Sequence, residues 1–212
     1  MTFPLLLTND DGIHSAGLQE LASSLNERGH PLVVLAPLSE QSAVGMKLTL
    51  RDDMAFQEHM EIADRIRVND EVPLRVFSLD GSPCDCVIVA IDGGLRAWSP
   101  EIEPWMCISG INRGPNLSVD VLHSGTVSAA RESALYGLPS LSVSLATYSH
   151  EDYSDSIGAT MEVIDYLSVL VTNKPENLLR PQGSKKKPPE GIDSDSIRTW
   201  FLQGNLFLNL NV

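Results

Sequence analysis

Short apolar runs alternate with segments of helical spacing along most of this chain, and that alternation limits the folds open to it. Phe3 to Thr8, Pro31 to Pro37, Leu74 to Leu79, Trp105 to Ile111 and Leu141 to Leu145 have the length and composition of buried strands. Between them, Leu18, Leu21, Ala22 and Leu25 recur at helical spacing, with Arg28-Gly29 as a stop. Pro83 to Leu95 reads as an apolar helix, with Ser82 at its N-cap and Pro83 at the first helical position. Val127 to Tyr136 and Ser154 to Leu170 read as further helices, and Leu206 to Leu210 as a last strand. Leu48-Thr49-Leu50 reads as the start of a short strand, and residues 53–73 as an excursion with short strands. Strands alternating with helices over short connections imply an α/β fold, a mostly parallel sheet with helices on both faces.

At 212 residues and 42% hydrophobic, the chain suffices for one core, so a single domain over 1–212 is expected. The stretch 173–194 is rich in Pro, Gly, Ser and Lys and reads as a flexible excursion, with Lys185-Lys186-Lys187 solvated. The net charge of −13, from 15 Lys and Arg against 28 Asp and Glu, repels polynucleotides and anionic membranes. No apolar stretch reaches the roughly 20 residues of a membrane span. No secretory signal is recognisable at the N-terminus. Cys84, Cys86 and Cys107 lack framework spacing and read as reduced and packed, in keeping with a cytoplasmic protein.

Chemistry concentrates in the loops behind the strands, where open α/β sheets bind ligands. Behind the first strand stands Asn9-Asp10-Asp11-Gly12. Two carboxylates at 4 Å repel by about 4 kcal/mol at an effective dielectric of 20. A hard divalent cation reverses that cost; a plain turn of Asp and Gly is the bland alternative. Behind the second strand, Ser42 either bonds its own backbone or joins a site.

The strand ending at Ile111 leads into Asn112-Arg113-Gly114-Pro115-Asn116. The Asn112 carbonyl suits a hard metal and Asn116 suits a substrate, while Arg113 either pairs with a phosphate or braces the acidic loop. In His123-Ser124-Gly125-Thr126-Val127-Ser128, small residues open a helix whose N–H groups suit an anion, or simply a cap. His123 is either an acid for a leaving oxygen or a hydrogen-bonded support of the loop. Dinucleotide, P-loop and nucleophile-elbow motifs are missing from the sequence.

Together, Thr8-Asn9-Asp10-Asp11-Gly12, Ala36-Pro37 with Gln41-Ser42, Ser109 to Asn116 and His123 to Ala130 resemble the SurE (survival protein E) family. Gly81-Ser82-Pro83-Cys84-Asp85-Cys86 and Leu208-Asn209-Leu210-Asn211-Val212 are similar to two further segments of that family. The resemblance covers Leu5 to about Ala146 and thins over 150–204. It implies a Rossmann-like core and a metal-dependent phosphatase acting on nucleoside monophosphates, a 5′-nucleotidase, with 3′-nucleotides and short polyphosphate as further substrates. It implies one divalent cation per subunit, Mg²⁺ or Mn²⁺, on Asp10, Asp11, Ser42 and Asn112. Asp10, Asp11, Asn112 and His123 are the expected catalytic residues, and Asn9, Asn116, Ser124, Gly125 and Thr126 the expected substrate contacts. A homodimer or homotetramer is implied as well. Family members continue for some tens of residues beyond the position of Val212, so a C-terminal extension is expected to be absent here and assembly correspondingly weakened. The alternatives are a nucleotide- or metal-binding module without catalysis, or an inactive fragment.

Overall fold

The computed structural model describes residues 1–175, 178 and 193–212. Its centre is a seven-stranded sheet in the order β3-β4-β2-β1-β5-β6-β7. The strands are β1 (Leu5–Thr8), β2 (Leu32–Pro37), β3 (Phe56–Glu58), β4 (Leu74–Leu79), β5 (Met106–Arg113), β6 (Ser140–Leu145) and β7 (Leu208–Asn211). β3 pairs antiparallel with β4 at one edge, and every other pairing is parallel. The helices are α1 (Ala16–Glu27), α2 (Met60–Ile66), α3 (Pro83–Val89), α4 (Leu95–Trp98), α5 (Gly125–Leu135), α6 (Ser154–Leu167) and α7 (Ser194–Leu202).

β1, β2 and β6 are buried along their whole length, which is why they read as continuous apolar or small-residue runs rather than alternating ones. Successive side chains still divide between the faces. Leu5 and Leu7 join the core under α1, α2, α6 and α7, whereas Leu6 joins the core under α3, α4 and α5. Helices on both faces of a mostly parallel, Rossmann-like sheet is the architecture expected above.

Several local expectations need correction. Leu48-Thr49-Leu50 forms no strand. Residues 53–73 hold β3 and the short helix α2, whose apolar contribution is only Ile62, Ala63 and Ile66. The helix from Pro83 breaks at Asp92-Gly93, where Gly93 takes φ +108°, before α4 resumes. Leu122 closes a short 3₁₀ turn, Ser118–Leu122. α7 escaped the sequence reading, and β7 begins at Leu208 rather than Leu206. The cap of α3 is as expected: Ser82 accepts the Asp85 N–H, and Asp85 reciprocates to the Ser82 N–H at 2.9 Å. All three cysteines are buried. Most of the excursion read over 173–194, including Lys185-Lys186-Lys187, lies outside the described residues. Among the described residues no helix is long and apolar enough to cross a membrane.

Chain order decides where a site can form. From β1 the chain moves outward to β2 and then β4. It returns to the other side of β1 as β5, then continues outward to β6 and β7. The direction of winding therefore reverses between β1 and β5, and loops leaving those strands diverge to open a crevice at their carboxyl ends.

Candidate active site

That crevice holds most of the predicted residues. β1 and β5 run in register, Leu7 opposite Ile108 and Thr8 opposite Ser109. The loop after β1 and the end of β5 therefore emerge side by side. Asp10, Asp11, Ser42, Asn112, Asn116, His123 and Ser124 all line one cleft of about 520 Å³. Glu40, Asp120 and Tyr148 line it too, and sequence reasoning missed them. Glu40 and Asp120 carried the ordinary signal of surface acids. Tyr148 carried a better one, as an aromatic residue in the loop directly behind a strand.

The loops are tied to each other through the backbone. Gln41 donates its N–H to the Asp10 carbonyl at 2.7 Å, and Gly45 donates to the His123 carbonyl at 2.8 Å. Farther along the Ser42 loop, Asp85 accepts from the Thr49 N–H at 3.0 Å and the Thr49 hydroxyl at 2.8 Å. The Ser82 hydroxyl donates to the Lys47 carbonyl at 2.6 Å. The N-terminal cap of α3 thus doubles as a clamp on the loop that carries Ser42.

Asp10 is nearly inaccessible, at 3% exposure, and sits against the first turn of α5. The Thr126 hydroxyl donates to its Oδ1. Burial raises the Asp10 carboxyl above its ordinary range, while the Thr126 hydroxyl and the Thr126 and Gly125 amides pull the other way. The α5 N-terminus has therefore already met its anion, and that anion is Asp10. A side chain at Gly125 would stand 2.7 Å from the Asp10 Cβ, so only glycine permits this approach.

Asp11 is more open. Burial and the neighbouring Asp10 charge raise its carboxyl to about 6, opposed by the Arg113 N–H, which donates to Oδ2 at 3.1 Å. The Arg113 guanidinium turns away to pair with Glu151 in the loop behind β6 at 3.2 Å, so only the Arg113 backbone N–H braces the acidic loop. Asn112 donates its amide to the Gly114 carbonyl at 2.7 Å, which turns its Oδ1 towards the Thr126 hydroxyl at 3.4 Å. One hydroxyl thus lies beside both the Asp10 carboxylate and the Asn112 carbonyl. Ser42 donates to Glu40 at 2.7 Å, leaving the lone pairs of its oxygen able to accept.

Other predicted residues stand differently from expectation. Asn9 is fully buried and its amide closes its own loop, bonding Gly12 at 3.2 Å and the Ser15 hydroxyl at 2.7 Å. Gly125 and Thr126 stand behind Asp10 rather than in the cleft wall. Ser124 reaches the wall, but its hydroxyl caps α5 by accepting from Val127 at 3.0 Å. Asn116 also reaches the wall, with its amide committed to the Ser144 hydroxyl at 2.9 Å. Its N–H and carbonyl pair with Asn211 and Asn209 of β7. His123 ends the 3₁₀ turn, exposed at the rim.

The donor set of Asp10, Asp11, Ser42 and Asn112 is all oxygen, with two carboxylates whose burial and mutual repulsion a cation would relieve. That fits a hard divalent cation. Among the described residues, no group of three or more His, Cys, Asp or Glu is placed to hold a metal, so the set would depend on Ser42 and Asn112 as well as its two carboxylates. A second cavity of about 190 Å³, walled by Ile91, Leu95, Ile102 and Pro104 ahead of β5, has a single carboxylate, Glu103, among its described lining residues.

The family model for survival protein SurE matches residues 5–212. A 5′-nucleotidase SurE from Synechococcus sp. (strain JA-3-3Ab) is 38% identical over 172 residues, covering 81% of this chain and 62% of that one. A 5′-nucleotidase SurE from Natranaerobius thermophilus is 37% identical over 173 residues, covering 81% and 61%. The crystal structure of the SurE protein from Aquifex aeolicus superposes with a TM-score of 0.61 at 28% identity, over 81% of this chain and 61% of that one. The chain thus spans about three fifths of the length of these relatives.

Proposed function

The chain belongs to the SurE family, and from that premise we propose that it hydrolyses nucleoside monophosphates to nucleoside and phosphate, as a metal-dependent 5′-nucleotidase. One observation carries the proposal. The cleft at the β1/β5 reversal gathers two carboxylates, a hydroxyl and an amide carbonyl from two loops and the end of β5. Asp10, Asp11, Ser42 and Asn112 would hold one Mg²⁺ or Mn²⁺. Bound there, such a cation neutralises phosphate charge, polarises a phosphoryl oxygen and makes water more acidic.

The protein's own groups do the rest. Without a cation, Asp10, Asp11, Glu40 and Asp120 would repel a phosphate from the cleft, so substrate entry is coupled to occupancy of the oxygen set. Thr126, Gly125 and Asn9 act through Asp10 and its loop, holding the buried carboxylate in one orientation. That orientation is set before substrate arrives, so none of its cost falls on the reaction step. His123 stands at the rim, where it can deliver a proton to the leaving ester oxygen. Ser124 and Asn116 form the wall against which the phosphate and sugar rest. Hydrolysis of 3′-nucleotides and short polyphosphate belongs to the same proposal, because the cleft is open and the chemistry identical; action in the cytoplasm as a homodimer or homotetramer belongs to it on family membership alone.

The test is phosphate release from a panel of nucleoside monophosphates, with and without Mg²⁺ or Mn²⁺, for the wild type and Asp10→Ala. Metal-dependent release that the substitution abolishes supports the proposal. Saturable nucleotide binding with no release from folded wild type would replace it with a binding module.

A further inference from the structure

Tyr148 is the largest exposed aromatic surface at the cleft, and nothing in the metal or phosphate chemistry uses it. Its side chain is 68% exposed, yet it belongs to the same cleft wall as Asp10, Asp11 and Asn112. It stands in the loop behind β6, in a turn closed by the Thr147 and Ser149 hydroxyls at 2.8 Å and by the Ser149 N–H to Thr147 Oγ1 at 3.1 Å.

The ring is seated on backbone. A Cβ at Gly114 would fall 2.1 Å from Tyr148 Cε1, 2.3 Å from Cζ and 2.5 Å from the hydroxyl oxygen. The phenol end of the ring therefore occupies the space a side chain at 114 would fill. Gly114 also holds φ +105°, a conformation that favours glycine. Its neighbours Asn112 and Arg113 are the last residues of β5. The ring thus bridges the loops behind β5 and β6, held against the Gly114 backbone and largely exposed.

We infer that Tyr148 is the platform on which the nucleobase of the substrate stacks. This rests on the nucleotide-hydrolysis reading above. The phosphate end of a nucleotide is drawn to the oxygen set at β1, and the base is the part that needs an apolar, planar partner. An aromatic ring held against backbone and largely exposed at the cleft supplies that for any base, because every base has a π-face. It also predicts the pattern of specificity. Nucleotides are preferred over phosphate esters that lack a base, purines bind better than pyrimidines, and discrimination within each class is weak.

The experiment compares kcat and KM for AMP and for ribose 5-phosphate in the wild type, Tyr148→Ala and Tyr148→Phe. Stacking measured by alanine substitution corresponds to roughly ten- to hundredfold in affinity. The expected result is a fall of that size in the ratio of kcat/KM for AMP over ribose 5-phosphate in Tyr148→Ala. The change should lie in KM, and Tyr148→Phe should restore the ratio. An unchanged ratio in Tyr148→Ala, or a ratio lost equally in Tyr148→Phe, overturns the platform while leaving nucleotide hydrolysis standing. Wild type that releases phosphate from neither ester, and binds no AMP by calorimetry in Mn²⁺, overturns both.

Discussion

Gly125→Ala isolates the closest packing in the site. A Cβ there would stand 2.7 Å from the Asp10 Cβ and 2.9 Å from Oδ2. Carbon atoms pack at about 3.5–4.0 Å, so Asp10 must retreat by roughly 0.8 Å or more. The nearest atom is the Asp10 Cβ, fixed to a backbone whose carbonyl accepts from Gln41 at 2.7 Å. The retreat cannot be absorbed by a flexible side-chain end. Gly125 is not one of the glycines with positive φ, so space alone excludes the methyl group. Helix propensity works the other way and favours alanine by up to about 1 kcal/mol. Overpacking of a buried site costs about 1–3 kcal/mol, so stability should fall modestly while the proposed metal site and its chemistry suffer more. A misplacement of about 1 Å at a reacting centre costs on the order of 10²-fold. We expect kcat for AMP to fall by roughly 10- to 100-fold and Mn²⁺ affinity, read by calorimetry, to fall at least about tenfold. The melting temperature without metal should stay within a few degrees. Wild-type Mn²⁺ affinity together with wild-type turnover would refute the argument that Asp10 must keep this place.

Three further outcomes are expected. Thr126→Val preserves shape and removes the hydroxyl donated to Asp10; with hydrogen bonds to charged groups at about 1.5–3 kcal/mol, denaturant unfolding in EDTA should show a loss of that order, and a loss below about 0.5 kcal/mol would remove Thr126 from the account. Asp85→Asn sets an NH₂ among the three donors from Thr49 and Ser82, so amide exchange at Thr49 should rise sharply and Mn²⁺ affinity should drop with it; unchanged exchange would mean that α3 does not clamp the Ser42 loop. His30 is buried against Phe3, and burial lowers its pKa from 6.5. The unfolded chain then binds the proton more readily, so this histidine's contribution to stability is present above about pH 6.5 and is lost as pH falls through the folded value. His30→Gln should flatten the dependence of melting temperature on pH between about 7 and 5.5, and a slope equal to wild type would place the titration elsewhere.

Strand and helix identity was legible in the sequence because it is local. Leu5-Leu6-Leu7 and Val33-Val34-Leu35 declare buried strands by composition, and Ser82-Pro83 declares a helix start by capping chemistry. α2 and α7 were not legible, since α2 buries only three residues and α7 buries one. A stripe that thin lacks the repeat from which a period can be read. The residues of the cleft were legible as types at loop positions, and the resemblance ordered them. Their partners were not. Whether Asn9 faces a ligand or its own loop, and whether the α5 N-terminus meets phosphate or Asp10, depends on contacts such as Asp10 to Thr126, 116 positions apart. Such contacts exist only after β5 has crossed to the far side of β1. The sequence by itself determined most of the strand segments and which loops carry oxygen donors. The tertiary structure alone decided which donors converge, because the reversal between β1 and β5 brings separate loops to one crevice and no local periodicity encodes it.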